Sequence, residues 1–308
     1  PALDASSRAE TSPIFERDFA EQSYGFRPGR GCKDALRRVA ELLANGNVWV
    51  VDADLKSYFD TIPHQQLMDE VRTKISDGRV LYLIEFYLQQ QVMDGIKAWT
   101  PEQGAPQGAV LSPLLSNIYL DPLDKMMAAK KIEMVRYADD FVLLCKSEQE
   151  ARDALKIVQK WTDKRGLSLH PEKTHIVDAT QKGGFDFLGY HFERGYRWPR
   201  KKSLGKFKDT IRSKTKRANG HSLEAIISNI NPTLKGWFEY FKHSHWTTFR
   251  PLDSWIRMRL RSILRKRNKG EGRGRGLDHQ RWPNAYFAER GLFSLNAALA
   301  TARQSSKR

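Results

Sequence analysis

The chain has 308 residues, 40% of them hydrophobic and 11% aromatic. That excludes wholesale disorder and allows a packed core in one large domain or two ordinary ones. The net charge of +16 is unevenly placed: residues 1–196 hold 25 Lys and Arg against 29 Asp and Glu, and residues 197–308 hold 27 against 7.

After a polar lead, KDALRRVAELLA at 33–44 has helical periodicity and ends at Asn45-Gly46-Asn47. Val48-Trp49-Val50-Val51 reads as a buried strand running into an acid-rich segment, Asp52 to Asp60. Helices are predicted at 64–75 and 79–92, a Gly- and Pro-rich loop at 103–110, and a helix at 111–129. Residues 132–146 read as strand, tight turn and strand. An amphipathic helix covers 148–165, strands cover 167–178 and 185–193, and 201–217 form a basic helix or linker. From 222 onward the pattern is helical, with Trp among Lys and Arg. The order implies an α+β layer over residues 1–196 followed by an all-helical basic unit over 197–308.

So basic a unit is suited to nucleic acid; no basic amphipathic helix with a clean apolar face favours a membrane instead. Cys32 and Cys145 lack metal-site spacing and fit a reducing cytosol, and no apolar run approaches a membrane span. Pro1-Ala2-Leu3-Asp4 is neither a signal peptide nor an initiator start, so the chain is expected to begin partway into a longer protein.

The strongest chemical signal is Tyr137-Ala138-Asp139-Asp140, two acids at the tip of a hairpin flanked by Met134-Val135 and Phe141-Val142-Leu143-Leu144. Adjacent carboxylates there are costly unless a cation neutralises them. Asp54, at the end of another apolar strand, is a second carboxylate able to share Mg²⁺ ions, whose oxygen preference suits nucleotidyl transfer. The bland reading, two turn residues of an ordinary hairpin, does not account for the matching second strand.

These segments resemble reverse transcriptases. Tyr137-Ala138-Asp139-Asp140 is similar to their signature, and Val51 through Asp60 to their first palm strand. Ser23-Tyr24-Gly25-Phe26-Arg27-Pro28-Gly29-Arg30, Gly104 through Leu120, Pro171-Glu172-Lys173-Thr174 and Phe187-Leu188-Gly189-Tyr190 follow in matching order. Ile230 through Phe241 and Trp255 through Lys266 resemble the maturase region of group II intron enzymes.

The resemblance implies a reverse-transcriptase palm, an antiparallel sheet backed by helices, with partial fingers before it and an α-helical basic thumb after it. It implies a two-Mg²⁺ site on Asp54, the Leu55 carbonyl and Asp139, with Asp140 supporting. Phe59 would lie under the incoming sugar and exclude a 2′-hydroxyl; Asp52 and Asp60 would be structural or peripheral. Gln107 would contact nucleotide or template, although Ala105 stands where the family more often has Thr. Lys173 would stabilise leaving pyrophosphate. Arg27 and Arg30 would meet template phosphates or anchor their own turn. Arg257, Arg261, Arg265 and Lys266 would contact RNA phosphates. Most of Trp237, Tyr240, Phe241, Trp246 and Trp255 are expected in the thumb core, with base stacking as the other use of such rings.

The function so implied is an RNA-directed DNA polymerase of a group II intron that also binds and splices the intron RNA. Its partners are intron RNA, an RNA template with a DNA primer, and dNTPs, with no membrane, in a cytoplasmic, bacterial-type ribonucleoprotein. Family fingers need more chain than precedes Tyr24, which points to a fingers-bearing second chain or a homodimer. The rival function is an RNA-binding splicing cofactor without polymerase activity. A palm-type nucleotide cyclase would share the acids but predicts neither the Pro-Gln-Gly loop nor the basic thumb. Nothing resembles a C-terminal DNA endonuclease.

Overall fold

The computed structural model describes residues 13–90, 92–94, 97–99, 103–106, 110–218, 220–274 and 276–305. Its contacts divide into two units. The first runs to Leu188 and includes Glu193–Gly195; the second takes Gly189–Phe192 and everything from Tyr196.

The first unit opens with helix α1 (Cys32–Ala44), which buries Ala35, Leu36, Val39 and Leu42 at helical spacing. Strand β1 (Trp49–Asp54) follows, with Val50, Val51 and Ala53 fully buried, as suits a strand covered on both faces. Three helices come next: α2 (Tyr58–Thr61), α3 (His64–Arg72) and α4 (Gly78–Leu88). Asp77 caps α4 by accepting from the N–H groups of Arg79 and Val80. A short antiparallel pair, β2 (Val92–Asp94) and β3 (Lys97–Trp99), precedes the largely buried helix α5 (Ser112–Ala129). Strands β4 (Glu133–Tyr137) and β5 (Asp140–Cys145) form a hairpin. Helix α6 (Glu148–Lys164) begins at Ser147, whose side chain accepts from the Glu150 N–H. Strands β6 (His175–Asp178) and β7 (Phe185–Phe187) end the unit.

The central sheet has the order β4-β5-β1-β6, all antiparallel. Helices α1 and α5 pack on β4, and α6 lies along β1, β5 and β6. The side that α5 and α6 cover holds the core: Val51, Ala53, Ile118, Phe141, Leu143 and Val158 belong to one apolar cluster. Strand alternation then sends Asp52 and Asp54 to the other face.

The second unit contains β8 (Tyr190–Glu193, its last residue in the first unit) and β9 (Tyr196–Pro199), then α7 (Lys201–Lys214), α8 (Leu223–Phe241) and a 3-10 turn at Trp246–Thr248. It ends with α9 (Phe249–Arg267), α10 (Asp278–Arg281), α11 (Asn284–Glu289) and α12 (Leu295–Ser305). Ile230, Leu234, Phe249, Ile256, Leu260 and Phe287 lie in its own core. Ser222 caps α8, and the buried Asp253 carboxylate accepts from the Leu295 and Asn296 N–H groups at the start of α12.

The fold is the α+β class expected, with two local corrections. The strand predicted over 185–193 is two strands, because Leu188 and Gly189 both take positive φ, +46° and +83°, and break it. The strand predicted from 167 starts only at His175; before it His170, Lys173 and Thr174 form a hydrogen-bonded turn.

Candidate active site

Asp54 ends β1 directly opposite Asp140 on β5, so two acids face each other across the ladder. The Tyr137–Asp140 pairing closes β4 and β5 with only Ala138 and Asp139 in the loop. Two-residue hairpins of this kind demand positive φ, and Ala138 adopts φ +59° although a side chain there is strained.

A buried cation holds that turn. Arg136, wholly inaccessible, donates through Nη1 to the Ala138 carbonyl at 2.8 Å and to Asn117 Oδ1 at 3.0 Å. Its Nε and Nη2 grip both oxygens of the equally buried Asp124, and Nη2 also reaches Ser23 Oγ at 2.8 Å. Asn117 in turn donates to the Gly25 carbonyl at 2.9 Å. Gly25 lies so close to the turn that a Cβ there would sit 2.2 Å from the Ala138 nitrogen, a contact with main chain that cannot yield. The motif before the palm thus braces the acid-bearing turn from behind.

Asp139 is half-buried. Burial, with the nearby Asp54 carboxylate, raises its pKa above the usual carboxylate range, against its own backbone N–H, Arg136 and Lys173, which lower it. Lys173 Nζ donates to Asp54 Oδ2 at 2.5 Å, and that hydrogen bond, with the charges of Asp54, Asp139 and Asp140, raises the lysine pKa. The turn carrying Lys173 is set over β1 by His170, whose N–H donates to the Asp54 carbonyl at 2.7 Å. Asp52, two residues back on the same face, is pushed up to about 7 by burial first, then by Asp186 and Asp54. His175 Nε2 lies 3.7 Å from its Oδ2.

Phe59 is half-buried against the core and meets Tyr58 edge-on, with ring centroids 5.4 Å apart. Its carbonyl accepts from the Ala105 N–H at 2.7 Å. Gly104, at φ +93°, lets the loop press on the Phe59–Asp60 backbone; a Cβ there would stand 2.9 Å from the Phe59 oxygen. Leu55 is buried between the hydrogen bonds that the Asp54 carbonyl and the Lys56 N–H make to His170 and Ser168, with an isolated bridge to Leu169. Gln107 lies outside the described residues.

Among the described residues no three His, Cys, Asp or Glu side chains are grouped to hold a metal. The donor set nevertheless fits Mg²⁺: few carboxylates, oxygen only, with burial and the nearby Asp54 charge disfavouring the charged form of Asp139.

Two of the arginines proposed for nucleic acid are turned inward. Arg27 pairs with Glu16 at 2.5 Å and donates to the Ala20, Ser23 and Glu16 carbonyls, with a side chain only 5% exposed. Arg261, 2% exposed, donates to the Trp282 carbonyl and Asn284 Oδ1. Such burial anchors structure and turns the guanidinium away from the solvent side, where a phosphate would be met. Arg265 is partly committed, to Asp278 and the Glu271 carbonyl. Arg30 donates to the Glu21 carbonyl and lies over the Tyr24 ring; Arg257 is half-buried and Lys266 exposed. Arg136 and Asn117 are the site residues that motif reading passed over; the signal was a charge inside an apolar strand.

Residues 8–192 match the reverse transcriptase (RNA-dependent DNA polymerase) family. The chain belongs to that family. Residues 204–282 match the group II intron, maturase-specific domain. Among curated relatives, protein YkfC of Escherichia coli is 34% identical over 59% of this chain and 58% of its own length. The group II intron-encoded protein LtrA of Lactococcus lactis is 37% identical over 40% of this chain and 20% of its own. The chain therefore spans little more than half the length of the first and matches a fifth of the second. An apo telomerase of Candida tropicalis covers 77% of this chain and is covered over 48% of its own, with a TM-score of 0.50 at 15% identity, a likeness of fold.

Proposed function

We propose that the chain is an RNA-directed DNA polymerase of the group II intron type, whose basic helical domain also binds intron RNA and aids its splicing. One observation carries the reading: Asp54 stands opposite Asp140 and near enough to Asp139 for their charges to interact, with Lys173 hydrogen-bonded to Asp54 and the hairpin turn braced from within. In the reaction, the primer 3′-oxygen bonds to the α-phosphorus of a dNTP paired with an RNA template. The α–β phosphoanhydride bond breaks and pyrophosphate leaves. Two Mg²⁺ ions, when bound, would activate the primer oxygen and neutralise the leaving group. Asp54, Asp139 and the Leu55 carbonyl would hold them, with Asp140 in support. Phe59 would occupy the space of a 2′-hydroxyl. Lys173 would leave Asp54 for the departing pyrophosphate. Gln107 would contact nucleotide or template. Arg257 and Lys266 are the better placed of the thumb cations for RNA phosphates. The proposed setting is a cytoplasmic ribonucleoprotein.

The test is dNTP incorporation on an RNA template with an annealed DNA primer and Mg²⁺. Asp139→Ala is expected to lower it by at least ~10³-fold. Incorporation unchanged in that variant would remove the mechanism. Salt-sensitive intron binding with no incorporation by the parent chain would favour the splicing-cofactor function instead.

A further inference from the structure

Tyr196, on β9, and Trp246, just after α8, are 56% and 54% exposed, unusual for large aromatics in a unit with its own closed core. They are not isolated. Tyr196 meets the His245 ring edge-on with centroids 4.8 Å apart, His245 lies 5.6 Å from Trp246, and Trp198 lies 5.9 Å from Tyr196 and 5.5 Å from His245. Four rings therefore form one continuous surface cluster whose two ends are the exposed ones.

The cluster is held by main chain. The His245 N–H donates to the Arg197 carbonyl at 2.7 Å, and Arg197 Nε donates to the His243 carbonyl at 3.0 Å. His245 Nδ1 and Thr247 Oγ1 lie 2.7 Å apart. A platform so fixed loses little freedom when something is laid on it.

Charge selects the occupant. Residues 196–202 and 242–250 contain Arg197, Arg200, Lys201, Lys202, Lys242 and Arg250, and no Asp or Glu. Lys242 is paired with Glu239, whereas Arg200 keeps a buried Nε without a partner among the described residues. Aromatic faces carried by two stretches of chain that hold cations and no acids match a strand that offers bases and phosphates together. An apolar protein surface would gain nothing from the cations, and a nucleic-acid duplex keeps its base faces stacked away from the rings.

We propose that Tyr196, Trp198, His245 and Trp246 form a stacking platform for unpaired bases of a single-stranded nucleic acid. The inference rests on the polymerase and maturase reading only in expecting such a strand to be present, and it is tested without polymerisation.

The test is binding of a fluorescent single strand of about 12 nucleotides, made as RNA and as DNA, and of the corresponding RNA duplex. The parent chain is compared with Tyr196→Ala, Trp246→Ala, Trp246→Phe and Lys201→Gln/Lys202→Gln. Each alanine variant is expected to weaken single-strand binding roughly tenfold. The slope of affinity against salt should stay unchanged, because no phosphate contact is lost. Trp246→Phe should keep most of the affinity, and the lysine pair should flatten the slope. Preference for RNA or for DNA names the strand. Equal loss on the duplex, or affinity unchanged in both alanine variants, overturns the platform and leaves the surface to a protein partner. Ring-dependent binding by a chain that incorporates no dNTP upholds the platform while the polymerase reading fails.

Discussion

Lys173 Nζ rests 2.5 Å from Asp54 Oδ2, so the carboxylate at the end of β1 already has a cation in contact. The pair is solvent-accessible, with side chains 60% and 34% exposed, and such pairs exchange partners readily. A divalent ion that takes Asp54 Oδ2 displaces the ammonium, which is then free for a phosphate. Lys173→Ala should therefore do two opposed things. Apparent Mg²⁺ demand should fall, and the maximal incorporation rate should drop ~10²-fold through loss of charge at the leaving group. A magnesium titration of both proteins reads both effects; a rate loss that extra Mg²⁺ fully restores would reduce the lysine to an aid in metal binding.

Gly25→Ala tests the brace behind the turn. The added carbon would overlap the Ala138 main chain, so β4 and β5 or the 23–26 segment must shift. A displacement of the acids by about 1 Å is expected to cost ~10²-fold in incorporation. Circular dichroism and the unfolding midpoint separate a moved turn from a lost fold.

Arg136→Lys should be worse than its conserved charge suggests. Lysine cannot span Asp124, Asn117, Ser23 and the Ala138 carbonyl at once, and unpaired groups remain in a sealed interior. A loss of ~3 kcal/mol in chemical denaturation is expected. A variant as stable as the parent would show that the network carries little of the fold.

Asp52 makes stability depend on pH. Its folded-state pKa, about 7, lies above the unfolded carboxylate value, so the folded state holds the proton more tightly. That advantage is complete below the unfolded pKa and is lost as pH rises through about 7. Asp52→Asn, a permanent stand-in for the protonated form, should stabilise the magnesium-free protein by roughly 2 kcal/mol more at pH 8 than at pH 5. An equal gain at both pH values would show that the folded state does not hold the Asp52 proton more tightly.

Much of this was readable because it is local. The acids at the tip of an apolar hairpin announced the turn, and α1, α5 and α6 follow apolar spacing within a residue or two. The break at Leu188-Gly189 left only a small trace, a switch of the aromatic residues from odd positions (Phe185, Phe187) to even ones (Tyr190, Phe192), and the positive backbone angles are what divide the strand. Arg27 takes the second of its two expected roles, anchoring its turn by pairing with an acid, and the burial of Arg261 was hidden for a related reason. An arginine's partners decide whether it faces water, and theirs are Glu16 and the Ala20, Ser23 and Glu16 carbonyls for the one, Trp282 and Asn284 for the other.

Arg136 and Ser23 are 113 residues apart, and Asn117 and Gly25 are 92 apart. During synthesis the 23–25 segment leaves the ribosome long before the hairpin it supports and must wait for it. Contacts of such separation form late and slow the search for the native state. The hairpin can zip on its own from neighbouring residues, but the acids acquire their final pose only when the two distant stretches meet. Competence for chemistry is thus a last event in folding, and a fragment starting beyond residue 25 would carry every acid yet lack the frame that aims them.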